Sequence, residues 1–251
     1  MALERFRIAE LTWPEYDALI RETPVIVPIG ATEQHGHHLP LGSDAYHVVA
    51  VAEAAAQITD ALVAPVLSYG YKSHPRSGGG EMFPGTISLD ASTLIGTISN
   101  VMSQLMADGA RRIVMVSGHY ENSMMLHEGI DLSLRGRPAD GVKILNLLWV
   151  DLIPEQLIID IYPGQYPGVA LEHAAFLETS ILLYLRPDLV HPERAGTEIA
   201  SFPPYDVHPQ VPGYVPPTGS LTRSAGATPE IGKRLIDEGS ARLAEVLASA
   251  W

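Results

Sequence analysis

Two short pairs of acidic and imidazole side chains stand out because each follows an apolar, β-branched run of the sequence. Glu33 and His35 follow one such run, and His119 and Glu121 follow another. Residues two apart on extended backbone project to the same side, so each pair offers two ligands to one region of space. Asp44 opens the helical pattern after the first pair and is positioned to reach between the two pairs.

These five side chains are of the types that bind borderline divalent ions, Zn, Mn or Co before Ca. With Asp44 as a bridge, the set suits two ions. A two-ion site lowers the pKa of a shared water and polarises a carbonyl, so no side-chain nucleophile is needed. Each part taken alone has an ordinary alternative, a histidine-rich surface turn or a helix cap at Asp44. Two pairs after two strands favour a metal site. Two-ion chemistry suits hydrolysis of an amide-like bond, although the pattern alone does not name the reaction.

A third group of titratable residues, Glu172, His173 and Glu178, lies in a predicted helix over residues 171–185. An imidazole titrates near neutral pH, so His173 beside the ions would pass protons between the attacking water and the leaving nitrogen. Glu172 and Glu178 are candidates for orienting the histidine ligands from outside the metal shell. The alternatives are a structural buried His173 and an exposed Glu178.

Composition narrows the class of protein. The chain has 251 residues, 46% of them hydrophobic, which favours one α/β domain over residues 1–251. A formal net charge of -13 argues against nucleic acid or an anionic membrane as partner and favours a small neutral or cationic substrate. The absence of cysteine excludes disulfides, thiolate metal ligands and a cysteine nucleophile.

The chain also has no pattern that predicts export or membrane insertion. The N-terminal segment is charged and interrupted by Pro14, unlike an export signal. No apolar run approaches the roughly 20 residues that span a bilayer. We therefore expect a cytoplasmic protein.

Alternating strand and helix patterns predict the elements that position these residues. The expected strands cover 24–29, 61–66, 113–116 and 144–148, and the expected helices cover 44–58, 91–108, 122–134 and 171–185. Thr228 and Pro229 have the residue types of a cap and first turn for a last helix. Such alternation predicts right-handed βαβ units on a mostly parallel sheet covered on both faces. Ligands collect outside the carboxyl ends of such strands, so both pairs should face one crevice.

Two segments differ in composition from the rest and predict ordered functional loops or subunit contacts. One is the glycine-rich segment 71–85, and the other is the proline-rich segment 194–220.

Several motifs of this sequence resemble those of the creatininase family. The matching segments that carry the titratable groups described above are 30–40 with Asp44, 118–122, and 172–173 with 178–180. Further matching segments, which carry no candidate metal ligand, are 77–80, 83–86, 187–189 and 202–207. The resemblance therefore covers nearly the whole chain. It implies a three-layer α/β/α fold, a homohexamer, and a binuclear centre that holds Zn, with one site able to accept Mn.

The resemblance also implies roles for individual residues. Glu33, Asp44 and His119 would hold one ion, and His35, Asp44 and Glu121 the other. Glu121 would thereby also take part in catalysis.

On the substrate side, Ser77, Tyr120 and His173 would contact substrate, with His173 as the proton-transfer group, and Trp149 matches an active-site tryptophan of the family. Val169 and Ala170 depart from the family, which has a tryptophan and an aspartate that close over the substrate. Their replacement removes stacking and a charged hydrogen bond. Each such loss costs on the order of 1 to 3 kcal/mol in substrate discrimination.

The resulting prediction is a binuclear amidohydrolase that cleaves a C–N bond of a cyclic or small amide, creatinine being the first candidate. The alternatives are a formamide deformylase or a peptidase of the wider family. A non-catalytic oligomer with structural metal ions is a further class, but five side chains leave open positions on two ions.

Overall fold

Four parallel strands form one sheet in the computed structural model, which describes residues 6–136, 141–211 and 213–251. The strands are β1 (Val25–Ile29), β2 (Leu62–Val63), β3 (Arg112–Ser117) and β4 (Lys143–Leu148), in the order β2-β1-β3-β4. Every described strand pair is parallel, which confirms the predicted parallel sheet.

Seven α-helices accompany the sheet in the described ranges. They are α1 (Trp13–Leu19), α2 (Ser43–Thr59), α3 (Ala91–Ala107), α4 (Ser123–Leu134), α5 (Glu155–Ile161), α6 (Phe176–Leu185) and α7 (Pro229–Ser249). Thr228 caps α7 by accepting a 3.3 Å hydrogen bond from the backbone N–H of Ile231, as its residue type predicts.

Alternate strand residues supply two separate hydrophobic cores. Val27 and Met115 belong to the core shared with α3 and α4. Ile26 and Val114 point to the opposite face and pack in the core formed with α2, α6 and α7. Because successive strand side chains project to opposite faces, apolar runs without alternation are buried on both sides. The result is the three-layer α/β/α fold.

Two elements differ from the sequence predictions. The strand predicted over 61–66 is limited to Leu62–Val63, since Pro65 has no N–H to donate to a ladder. The helix predicted over 171–185 begins only at Phe176 and is preceded by a 3-10 turn at Val169–Leu171. Glu172 and His173 therefore lie in irregular chain before α6, where their side chains are not tied to helical spacing.

Two short helices have no counterpart among the predicted elements. They are α1 and α5. Pro14 does not interrupt a segment but lies in the first turn of α1, where proline is well tolerated. None of the helices in the described ranges has both the length and the apolar character required to cross a membrane.

Candidate metal centre

The two ligand-bearing loops leave the sheet side by side. Strands β1 and β3 are hydrogen-bonded neighbours, and Ile29 at the end of β1 pairs with Ser117 at the end of β3. The loops that carry the two predicted ligand pairs therefore open at the same edge. Adjacency of the two strand ends is the geometric condition that the sequence prediction requires, and the sheet meets it.

Two glycines allow α2 to approach both strand ends. A Cβ on Gly30 would lie 2.6 Å from the backbone N of Ala45, and a Cβ on Gly118 would lie 2.4 Å from the carbonyl oxygen of Asp44. Both distances are too short for any side chain. The first turn of α2 is thus inserted between the loops, and Asp44 is buried between them.

One group of potential ligands comprises Glu33, Asp44 and His119, all buried. The Nδ1 atom of His119 lies 3.0 Å from Oε2 of Glu33 and 3.1 Å from Oδ2 of Asp44. These three residues come from the two loops and from α2. They are the residues that the family resemblance implies for one ion.

A second group contains His35, Asp44 and Glu178. The Nε2 atom of His35 lies 3.2 Å from Oδ1 of Asp44 and 3.7 Å from Oε2 of Glu178. The two carboxylate oxygens of Asp44 thus face different histidines, His35 on one side and His119 on the other. Asp44 is placed as a bridge between two positions.

Glu121 lies at the edge of this arrangement. Its Oε2 is 3.4 Å from Nε2 of His119, while its Oε1 accepts a 2.5 Å hydrogen bond from the Ser77 hydroxyl. Its Oε1 also accepts a hydrogen bond of 3.1 Å from the backbone N–H of His74. Among the described residues, the carboxylate that lies close to both His35 and Asp44 as a third ligand is Glu178, and Glu121 is not part of this group.

Buried atoms without partners show that the residues fit a cation. Within the described ranges, Nε2 of His35 and Oδ2 of Asp44 are fully buried and accept or donate no hydrogen bond. Both ring nitrogens of His47 are also buried and have no hydrogen-bond partner. The Nε2 atom of His47 lies 3.5 Å from Oδ1 of Asp44. Buried polar atoms without a partner cost free energy. Because these atoms converge on one point, a metal ion bound there would remove that cost.

The outer partners of the two histidines fix which nitrogen faces the centre. Nδ1 of His35 donates to the carbonyl of Glu33 at 3.1 Å, which leaves Nε2 as the free acceptor. Nε2 of His119 donates to the carbonyl of Tyr71 at 3.1 Å, which leaves Nδ1 free. The Ser73 hydroxyl donates a 2.5 Å hydrogen bond to Glu33. Such contacts orient metal ligands, and two of them come from the glycine-rich segment 71–85.

The charges of the centre are strongly coupled. Burial lowers the pKa of His35, but the carboxylates of Glu178 and Asp44 outweigh it, so the pKa is raised. Burial also lowers the pKa of His119, but the carboxylates of Glu33 and Glu121 outweigh this effect, so the pKa of His119 is raised as well. Burial raises the pKa of Asp44, but His35 and His119 lower it well below its usual value. Against the effect of burial, the histidines also lower the pKa of Glu178, so the negative charge of Asp44 and Glu178 favours a bound cation.

His173 lies beside the centre, as predicted. Its ring is 4.6 Å from the ring of His35, and its Nε2 lies 3.8 Å from Oε1 of Glu33. The Gln34 side-chain oxygen accepts from the N–H of Gly36, so its amide nitrogen is the donor to Nε2 of His173 at 2.8 Å. This hydrogen bond makes Nε2 of His173 an acceptor.

Glu172 is a buried carboxyl group behind His173. Burial raises its pKa to about 8, although the hydrogen bonds from Tyr162 and from the backbone N–H of Leu177 oppose the shift. Those hydrogen bonds measure 2.6 Å and 2.9 Å. Glu172 therefore ties the chain before α6 to its first turn.

The predicted substrate contacts line a small chamber over the centre. Its wall includes Ser77, Tyr120, Trp149 and Val169, and its volume is about 50 Å³. Ala170 is not among the described residues that form this wall. Trp149 also packs edge-on against His47, with ring centroids 5.7 Å apart.

The structure adds residues that sequence reasoning missed, chiefly Gln34, Ser73, His47 and Tyr162. His47 had a signal, because it lies one helical turn after Asp44 and so shares its face. The other three had none, since their partners are distant in sequence and come close only through the fold.

The proline-rich segment 194–220, apart from residue 212, which lies outside the described residues, reaches this region as well. The carbonyl of Gly219 accepts a 3.0 Å hydrogen bond from the Gln34 side chain. Both compositionally distinct segments thus contribute to the site.

Comparisons with known proteins agree with this geometry. The family model described as creatinine amidohydrolase matches residues 9–247. The creatinine amidohydrolase of Pseudomonas putida is 42% identical over 237 residues, which cover 92% of this chain and 91% of that protein.

Two solved structures are similar over almost their full length. A mutant creatininase described as the Zn-Zn type has a TM-score of 0.95 at 39% identity, with 99% of each chain covered. A structure named creatininase Mn has a TM-score of 0.95 at 40% identity, and covers 98% of this chain and 99% of the other.

Proposed function

The chain belongs to the creatininase family and is a metal-dependent amidohydrolase, and from this premise we propose that its substrate is a cyclic or small amide, creatinine being the first candidate. One observation in particular supports a reaction at two metal ions. Asp44 presents its two oxygens to two different buried histidines, each accompanied by a further carboxylate.

The geometry and the family pattern together support an assignment of residues to the two ions. Glu33, Asp44 and His119 would hold one ion. His35 and Asp44 would hold the second with Glu121, and Glu178 is close enough to His35 to support this position. Zn and Mn are the ions named for the similar structures, and this mixed set of imidazole and carboxylate ligands suits both. When bound, such ions supply an activated water at neutral pH and polarise an amide carbonyl.

Residues of the chain itself would transfer the proton and position the substrate. The hydrogen bond from Gln34 holds the His173 ring beside the centre, where the imidazole would carry a proton to the leaving nitrogen of the amide. Ser77, which holds Glu121, and Tyr120 lie on the chamber wall where they would contact the substrate. Trp149 and Val169 supply apolar parts of the chamber wall.

A steady-state assay on creatinine tests this function. The protein is stripped of metal, reloaded with defined Zn, Mn or both, and assayed for conversion of creatinine to creatine. We expect activity that depends on metal and saturates at two ions per chain. No turnover of creatinine, hydantoins or formamides by fully loaded protein would contradict the proposal.

The wider-family activities have weaker support. A formamide deformylase or peptidase would use the same ligands, but the similar creatinine amidohydrolase is 42% identical to this chain, against 30% for a similar peptidase. Turnover of a formamide or a peptide without turnover of creatinine would favour them. A purely structural metal centre is disfavoured because five side chains leave open coordination positions on two ions.

We further propose that residues 1–251 act as one domain within a cytoplasmic homohexamer. Several large apolar side chains are exposed on the single chain, Trp13 by 80% and Ile199 by 61%, which suits burial between subunits. Light scattering should give six times the chain mass of 27.1 kDa. Fractionation of the source cells tests the compartment, and limited proteolysis that releases a stable fragment would argue against one domain.

A further inference from the structure

A groove of about 870 Å³ lies directly beside the small chamber over the metal centre. The two spaces share five wall residues, which are Ser77, Tyr120, Glu121, Leu148 and Val169. Since Ser77 and Glu121 are hydrogen-bonded to each other at 2.5 Å, the shared wall includes groups of the centre itself. The groove is therefore an extension of the reaction chamber.

The two spaces differ greatly in what they can hold. The chamber, at about 50 Å³, is lined by the candidate ligands Glu33, Asp44 and His119, so the ions and the reacting amide group would fill it. The groove lies within the range of about 300 to 1,000 Å³ in which proteins bind whole small molecules. A substrate larger than its reacting group must place the remainder in the groove.

The groove offers an apolar surface. Its wall includes Met124, Met125, Leu147 and Leu148 in addition to Tyr120. Met124 is 68% exposed and Tyr120 is 46% exposed, so large apolar side chains stand open to solvent next to the centre. Flexible methionine side chains adapt to apolar ligands of different shapes, and an exposed apolar patch at a cleft marks a binding surface.

Val169 stands at the boundary between the two spaces. It belongs to the 3-10 turn Val169–Leu171 and lines both the chamber and the groove. Its short, branched side chain leaves the two spaces joined. A large aromatic side chain at this position would obstruct the passage.

We propose that the groove is a second substrate subsite, which binds an aromatic or branched apolar substituent of the amide whose C–N bond lies in the chamber. This inference rests on the proposed amidohydrolase function and specifies its substrate class. Creatinine and other small amides would then occupy the chamber alone, and amides that also carry an apolar arm would be better substrates.

Matched substrates test the subsite. We would measure kcat/KM for hydantoin against 5-benzylhydantoin and for N-methylformamide against N-benzylformamide, with metal-loaded protein. We expect the benzyl compounds to be better by about tenfold or more, since burial of a phenyl ring is worth that factor. Met124→Glu should reduce this preference severalfold. Ile58→Glu is the matched control, because Ile58 is 64% exposed and does not line the groove, and it should leave the preference unchanged.

A binding measurement separates failure of the subsite from failure of the function. With methyl-labelled methionine, addition of N-benzylformamide to metal-loaded protein should shift the NMR signals of Met124 and Met125 but not that of the buried Met102. Shifts without hydrolysis of any amide would retain the subsite and contradict the amidohydrolase function. Hydrolysis with equal rates for benzyl and methyl compounds, and without shifts, would overturn the subsite and retain the function.

A second copy of the chain is the competing occupant of the groove. In that case Met124→Glu would lower the mass measured by light scattering, and N-benzylformamide would leave the Met124 signal in place. That combination would also overturn the subsite. Unchanged mass together with a shifted signal supports it.

Discussion

The backbone N–H of Ala174 donates a 2.6 Å hydrogen bond to the carboxylate of Glu178. Ala174 lies in the left-handed region with φ of 51°, which costs a non-glycine residue on the order of 1 kcal/mol or more. The turn at Ala174 separates His173 from the start of α6, so Glu178 stabilises the backbone that aims His173 at the metal centre. The same carboxylate lies 3.7 Å from Nε2 of His35.

Glu178→Ala should destabilise the protein by about 1 to 3 kcal/mol and lower kcat, because it leaves the Ala174 N–H unpaired in a buried turn. Glu178→Gln keeps an oxygen that can accept this hydrogen bond and should cost less stability. Urea unfolding of both variants at fixed metal loading measures the difference. Equal losses for the two variants would show that charge, and not the hydrogen bond to Ala174, carries the effect.

Asp44→Ala should remove both ions, whereas His119→Ala should remove one. The reason is that Asp44 faces both His35 and His119, while His119 belongs to one group of ligands only. Elemental analysis after dialysis gives the metal content per chain. His37→Ala is the control, since His37 is exposed on the same loop and should leave both ions bound. Two retained ions in the Asp44 variant would refute its bridging position.

Glu172→Gln should change how stability depends on pH. The pKa of Glu172 is raised from 4.5 to about 8 by burial, so the folded protein holds its proton more tightly than the unfolded chain. The contribution to stability is complete below pH 4.5 and is lost as the pH rises through 8. Relative to the glutamine variant, the unaltered protein should lose a few kcal/mol between these limits. Parallel urea curves at both pH values test this, and a constant difference between the two proteins would contradict it.

Gly78→Ala should weaken metal binding at least tenfold. A Cβ at this position would lie 2.4 Å from Oε1 of Glu33 and 2.5 Å from the Ser73 hydroxyl, so Glu33 must move. Such displacement of a ligand and its hydrogen-bond partner typically costs tenfold to hundredfold in metal affinity. Competition with a chromogenic chelator measures the affinity.

Gly96→Ala provides the matched control for that substitution. Gly96 lies within α3, and its added Cβ would meet no atom within 4 Å. The change should leave metal affinity unaltered and stabilise the protein by about 0.5 to 1 kcal/mol through helix propensity. Weaker metal binding in this variant as well would mean that the effect of Gly78→Ala is not local.

The sequence alone determined the sheet and the ligand pairs, for a physical reason. Apolar runs such as Val25–Ile29 can be satisfied only when both faces are covered, and polar ligands after them must then lie at the strand ends. The parallel sheet covered on both faces and the convergence of Glu33, His35 and His119 on Asp44 follow from such local patterns, whereas the three-layer fold was implied by the family resemblance. His173 was also found beside the centre, although the helix predicted around it begins later.

Tertiary structure decided everything that depends on contacts between distant segments. Which nitrogen of His35 and His119 faces the centre is set by backbone carbonyls, and the position of His173 is set by Gln34 and by the turn at Ala174. The tertiary structure also decided that Glu178, and not Glu121, lies beside His35 and Asp44. The groove beside the chamber likewise forms only when distant segments pack together. Residue types and spacing encode which groups can bind an ion, but the distances between them are fixed only when the loops pack against one another.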